Sequence, residues 1–177
     1  MRSLVMSNLS VPTCCLNEWQ LLNFVRPSEP SGTRWAEIDL DAKLWTIQAE
    51  WMKAKREHIV PLFPQALEIL EVMRPISTYR KYIIPSRNDP KQPTSSQTTN
   101  IALKPIGYNG KLVTSGLHSI ARTGLSEHWC NADVVEATLA YTVKNKIRKA
   151  YNRPTPLEHR VNIIKQWVIF AKIKMEV

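Results

Sequence analysis

Leu44-Trp45-Thr46-Ile47-Gln48 and His58-Ile59-Val60-Pro61-Leu62 flank a polar connection that carries Lys53. Branched and aromatic side chains suit a pleated, half-buried surface, so the two runs are expected to pair as an antiparallel hairpin with Lys53 at or near its tip. Around this hairpin the apolar spacing turns helical. Leu16 to Val25 reads as a buried helix, and Gln65 to Met73 places Ala66, Leu67, Ile69, Leu70 and Met73 close to helical spacing. The segment Arg26-Pro27-Ser28-Glu29-Pro30-Ser31-Gly32 reads as a turn or a helix start, because proline is tolerated only in a first helical turn. Tyr82-Ile83-Ile84 reads as one more short strand, Pro85 to Thr99 as a surface loop, and the neighbourhood of Asn100 to Pro105 as a short helix.

Two further helices are expected over Gly116 to Trp129 and Ala132 to Ala140. The last helix is the best signalled: Thr155-Pro156-Leu157-Glu158 is a capping box with proline at the first helical position, and Leu157, Val161, Ile164, Val168 and Ala171 follow on one face. The fold class expected is therefore α+β, mainly α-helical, with a small antiparallel β-sheet. Residues 1–15 read as a poorly defined leader and 16–177 as one domain.

The 177-residue chain, 44% hydrophobic and 22% charged, is long enough to bury a core and too apolar for wholesale disorder. No apolar run approaches the roughly 18 residues of a membrane span. Cys14, Cys15 and Cys130 are odd in number, and two are neighbours, so a disulfide framework is excluded and a reducing, cytoplasmic setting fits. No secretory signal is recognisable at the N-terminus. His58, His118, His128 and His159 are scattered without metal-ligand spacing, so neither a metal nor another cofactor is expected.

The formal net charge is +9, and residues 137–177 contribute +7 of it. Lys144, Lys146, Arg148, Lys149 and Arg153, interleaved with Asn145, Tyr151 and Asn152, form the densest cluster. Such a cluster displaces counterions from a phosphate backbone whatever the base sequence, which makes DNA the leading partner. A solvated, lysine-rich helix face is the alternative reading of the same residues.

Several phrases, in this order, resemble the catalytic domain of the phage integrase (tyrosine recombinase) family, in particular integrases of prophages and satellite phages. They are Phe24-Val25-Arg26-Pro27-Ser28-Glu29, Arg34-Trp35-Ala36-Glu37-Ile38-Asp39-Leu40, and Met52-Lys53 with Glu57-His58-Ile59-Val60-Pro61-Leu62. The likeness continues through Val134-Val135-Glu136-Ala137-Thr138-Leu139-Ala140, Ala150-Tyr151-Asn152-Arg153, Glu158-His159-Arg160 and Gln166-Trp167. The resemblance implies the fold of that catalytic domain. It also implies DNA strand breakage and rejoining through a phosphotyrosine, without metal or nucleotide. Members carry an arm-binding and a core-binding domain before the catalytic one; here the chain begins almost at the first catalytic motif, so these domains are expected to be absent.

In the family, two arginines stabilise charge on the non-bridging phosphate oxygens, a hairpin lysine protonates the departing 5′ oxygen, and histidines position or move protons. Carried over by motif, the first arginine is Arg26, the lysine is Lys53 and the nucleophile is Tyr151. Taken alone, Arg26 would read as a surface salt bridge with Glu29, Lys53 as a solvated hairpin lysine and Tyr151 as a half-buried aromatic.

The second half of the site departs from the pattern. The family's His-x-x-Arg aligns with Ser115-Gly116-Leu117-His118, so the histidine is Ser115 and the second arginine His118. The later Leu-Ala-His is Leu139-Ala140-Tyr141, so a second histidine is Tyr141. An ordinary histidine, with a pKa of about 6.5, is mostly uncharged at neutral pH and lacks the planar fork of arginine. Helical spacing puts Arg122, one turn beyond His118, on the same side, and it also matches a residue usual in the family after this motif. Pro30 stands where the family has leucine, a further difference next to Arg26.

Three functional readings follow from these residues. The first is a catalytically impaired integrase domain, a truncated prophage remnant in the bacterial cytoplasm or nucleoid. The second is a non-catalytic DNA-binding module that occupies or regulates integrase sites, and the third is a recombinase active with an altered site. Assembly with a second copy, or with an intact integrase on DNA, goes with each.

Overall fold

The computed structural model describes residues 9–104 apart from 24 and 54, together with positions 116, 119, 123, 161, 162, 164 and 165. Helix α1 spans Val11–Asn23. The Ser10 carbonyl accepts the first bonds, from the N–H of Thr13 at 2.9 Å and of Cys14 at 3.0 Å, and Pro12 sits in the first turn, where its missing N–H costs nothing. Cys15, Leu16 and Trp19 form its buried face. The helix expected from Leu16 begins earlier, at Val11, and Cys14 and Cys15 are buried thiols that pack as small apolar groups.

Helix α2 covers Ser28–Ser31, and a 3₁₀ turn follows at Trp35–Glu37. The sheet has the order β1 (Ile38–Asp39), β2 (Leu44–Ile47), β3 (His58–Pro61), antiparallel throughout. The expected hairpin is present, with Leu44 opposite Pro61 and Ile47 opposite His58. The two-residue β1 was too short to carry a period of its own.

Tyr82-Ile83-Ile84 is not a strand. It forms a single antiparallel bridge, Tyr82 with Arg34, flanked by bonds from Ile83 N–H to Thr33 O at 3.0 Å and from Trp35 N–H to Lys81 O at 3.2 Å. The 3₁₀ turn bends the partner segment away after those bonds, which leaves no room for a ladder.

Helix α3, Pro64–Ser77, runs beyond the expected Met73 despite Pro75. Its end is held by Ser77, whose hydroxyl lies 2.6 Å from the Ile83 carbonyl and whose own carbonyl accepts the Trp35 indole N–H at 2.9 Å. The loop expected over residues 85–99 closes on itself through Ser86 N–H to Gln92 O at 2.9 Å and leads into α4, Thr98–Leu103.

Helix α1 packs against α3 and α4, and the sheet closes the other side of the core. At the centre the rings of Trp19 and Trp45 meet at 5.3 Å and 45°, surrounded by Leu16, Ile47, Val60, Leu70 and Met73. Positions 116, 119 and 123 are helical, as are 161, 162, 164 and 165. Ile164 is 3% exposed, whereas Asn162 and Lys165 face solvent, as the amphipathic spacing of the last helix requires.

Candidate active site

Two segments of the described structure carry candidate residues: the turn Arg26–Thr33 around α2, and the connection of residues 48–57 between β2 and β3. In the first, Arg26 is followed by a tight helical turn built around a buried carboxylate. Glu29 is 5% exposed; its Oε2 accepts the backbone N–H of Arg26 at 2.7 Å, and its own N–H donates to the Arg26 carbonyl at 2.9 Å. Glu29 is thus buried rather than on the surface, and it sets the backbone bearing Arg26. Pro30 falls in the first helical turn, where it is compatible with α2. The Thr33 hydroxyl closes the turn on the carbonyls of Pro30 and Glu29 at 3.1 and 3.2 Å.

The same device recurs eight residues later, where Glu37 Oε2 accepts the N–H of Arg34 at 3.1 Å and the indole N–H of Trp45 at 3.4 Å. In each Arg-x-x-Glu turn the carboxylate satisfies a donor that a helix start leaves free.

Burial pushes the carboxyls of Glu29 and Glu37 above their ordinary value of 4.5, against the opposing pull of the N–H bonds and of Arg26 and Arg34. The folded chain therefore holds these protons more tightly than the unfolded chain. Their contribution to stability is full below the unfolded value and declines as pH rises from about 4.5 through the folded values. Glu29→Gln keeps an acceptor for Arg26 N–H and removes the titration, so the unfolding temperature of the variant is expected to fall less steeply between pH 4.5 and neutrality. An identical pH profile, read by thermal denaturation, would contradict this. Glu29→Ala leaves the Arg26 N–H unpaired and is expected to cost about 1–3 kcal/mol.

In the second segment Lys53 is exposed, but the residues before it are anchored. Met52 is 2% exposed within the core, and Trp51 lies against Gly32, where a Cβ would meet the ring at 3.3 Å. Gly32 has φ −93°, so glycine is favoured there by the closeness of the ring rather than by backbone conformation. The Arg34 guanidinium stacks 5.3 Å from the centre of the Trp51 ring and pairs with Glu50 at 3.3 Å. Lys55, with φ 52°, turns the chain back toward β3. The turn after Arg26 and the loop before Lys53 are thus in direct contact, which brings two of the expected cation-bearing segments together. His58 is buried at the start of β3.

Tyr151, Ser115, His118 and Tyr141 lie outside the described residues, as do Lys144, Lys146, Lys149, Arg148 and Arg153. Glu29, Gly32, Arg34 and Trp51 were not singled out from sequence as site-building residues. The Arg-x-x-Glu spacing was the available signal for the first and third; the contact of Gly32 with Trp51 spans 19 positions and left no local trace.

The sequence matches the model of the phage integrase family over residues 3–158. The chain belongs to the phage integrase family. Curated relatives in the family include the prophage integrase IntA of Escherichia coli (strain K12), 47% identical over 172 residues, which are 97% of this chain and 42% of IntA. The integrase of Enterobacteria phage P4 is 34% identical over 163 residues, 83% of this chain and 37% of that protein. The chain thus spans less than half the length of these relatives.

Among solved structures of the same fold is a λ integrase (75–356) dimer bound to a COC′ core site, with TM-score 0.58 and 15% identity over 86% of this chain and 56% of that one. The λ integrase catalytic core gives TM-score 0.56 at 16% identity, covering 80% of this chain and 86% of that core. The fold is that of a tyrosine-recombinase catalytic domain. Among the described residues no helix is long and apolar enough to cross a membrane.

Proposed function

We propose that this chain is an integrase-family catalytic domain that binds DNA and has lost most or all of its strand-cleaving activity, as in a prophage remnant. The observation that carries the reading is the contact of the Arg26 turn with the Lys53 loop in a chain whose remaining catalytic positions read Ser115, His118 and Tyr141. In this reading Arg26 binds a non-bridging oxygen of the scissile phosphate. Lys53 donates the proton that the departing 5′ oxygen takes up, and the Tyr151 hydroxyl attacks phosphorus.

His118 lacks the planar, permanently charged fork that arginine would place there, and Ser115 and Tyr141 take the places of proton-handling imidazoles. The λ integrase of similar fold was solved on a core site, which supports DNA as the partner. The basic cluster Lys144, Lys146, Arg148, Lys149 and Arg153 supplies phosphate contacts, in the bacterial cytoplasm and on the nucleoid. Assembly on DNA with a second copy or with an intact integrase is part of the same proposal.

Binding by this chain alone is expected to be weak and insensitive to sequence, with a Kd of roughly 10⁻⁴–10⁻⁶ M at physiological salt and a steep loss of affinity as salt rises. Fluorescence anisotropy with unrelated duplexes over a salt series measures both; nanomolar, site-selective binding or a flat salt response would contradict it. The catalytic half is tested by incubating the natural chain with a nicked suicide DNA duplex bearing an attachment site. No covalent adduct above the Tyr151→Phe background is expected, and efficient adduct formation would show an active enzyme instead.

A further inference from the structure

Trp51 is the one aromatic of the loop of residues 48–57, and its surroundings are built for it. Its Cζ3 and Cε3 atoms lie beside Gly32, where even a methyl group would stand 3.3 Å from the ring, and the Arg34 guanidinium stacks on the ring 5.3 Å from its centre while gripping Glu50 of the same loop. The indole N–H has no acceptor among the described residues, so shape and the cation–π contact, not a hydrogen bond, locate the ring. The next residue, Met52, is locked in the core, and the one after it is Lys53.

We infer that Trp51, held between Gly32 and Arg34, is a positioning residue for Lys53: it fixes the start of an exposed lysine relative to the turn that carries Arg26. The inference rests on the reading of Lys53 as the proton donor to the 5′ leaving oxygen. A long lysine side chain on an untethered loop spreads over many rotamers, whereas proton transfer needs its ammonium within hydrogen-bond reach of one atom. Tethering the two residues before Lys53 removes most of the backbone part of that spread. Gly32→Ala is the mildest disturbance, since the ring must yield by a few tenths of an ångström.

The natural chain gives a first readout. Trypsin cuts after Lys53, Lys55 and Arg56, and Trp51→Ala is expected to speed cleavage there about tenfold while Trp51→Phe, which keeps a flat ring on Gly32, restores the natural rate; unchanged cleavage overturns the clamp. The second readout uses the full chain carrying Ser115→His, His118→Arg and Tyr141→His, on suicide DNA with either oxygen or sulfur at the 5′ bridging position. A thiol, with a pKa of about 8.5, leaves without needing a proton, so a defect that acts through the proton donor disappears with sulfur.

Trp51→Ala is expected to slow adduct formation about tenfold or more with oxygen and to leave the sulfur substrate unchanged, in parallel with a larger effect of Lys53→Ala. Equal slowing on both substrates makes Trp51 merely structural and overturns the inference alone. If Lys53→Ala retains the full rate with oxygen, the reading of Lys53 fails and takes the inference with it; no adduct with either DNA overturns the catalytic reading as a whole, and the inference with it.

Discussion

Trp45→Ala is expected to destabilise the folded chain by about 3–5 kcal/mol, a large share of the stability of a domain this size. Trp45 is fully buried, its ring lies 5.3 Å from that of Trp19, and its indole N–H is 3.4 Å from Glu37 Oε2. Truncation removes the largest apolar body of the sheet, leaves a cavity against Trp19 and strips one donor from a buried carboxylate. Because β2 leads directly into the loop of residues 48–57, the loss also loosens the support of Lys53. Denaturant titration followed by circular dichroism measures the effect. A change below about 1 kcal/mol would mean that the hairpin does not carry the core. Trp45→Phe, which keeps a ring but not the N–H, is expected to fall well below the alanine cost.

Restoring Ser115→His, His118→Arg and Tyr141→His together is expected to raise the rate of covalent joining to nicked DNA by at least about 10²-fold, the worth of one preorganised donor to a developing charge. Most of the gain is assigned to His118→Arg, because a guanidinium is charged at every accessible pH and presents two parallel donors. The two histidines act on protons and add less than their separate values suggest, since groups of one site are not additive. Single-turnover gel assays give the rates. An unchanged rate would place the defect outside these three positions.

The hairpin and the helical core were legible because their patterns are local: Trp45 and Ile47 face inward at period two, and Ala66, Ile69, Leu70 and Met73 at helical spacing. The start of α1 was not, since Pro12 and the polar Ser10 resemble a loop until the burial of Cys14 and Cys15 shows the run to be apolar. The extent of α3 was hidden by Pro75, whose effect on helix geometry is offset by a tertiary bond from Ser77 that no local pattern announces.

For the site, the candidate residues Arg26 and Lys53 came from motif, but what holds them did not. Glu29 reads from sequence as a surface partner for a guanidinium and is in the structure a buried acceptor for a backbone N–H. The Gly32–Trp51 contact depends on how a turn and a hairpin dock, which composition and periodicity do not encode.

Where DNA becomes attached decides whether the proposed nucleophile, Tyr151, sits in a domain disabled by its neighbouring substitutions. The chain restored at 115, 118 and 141 is allowed to react with nicked duplex, digested with trypsin and examined by mass spectrometry. Arg153 precedes Pro154 and resists cleavage, so Tyr151 falls in a single peptide of residues 150–160. A nucleotide adduct is expected on that peptide, at Tyr151, and none from the natural chain under the same conditions. An adduct on any other peptide, or none from the restored chain, would contradict it.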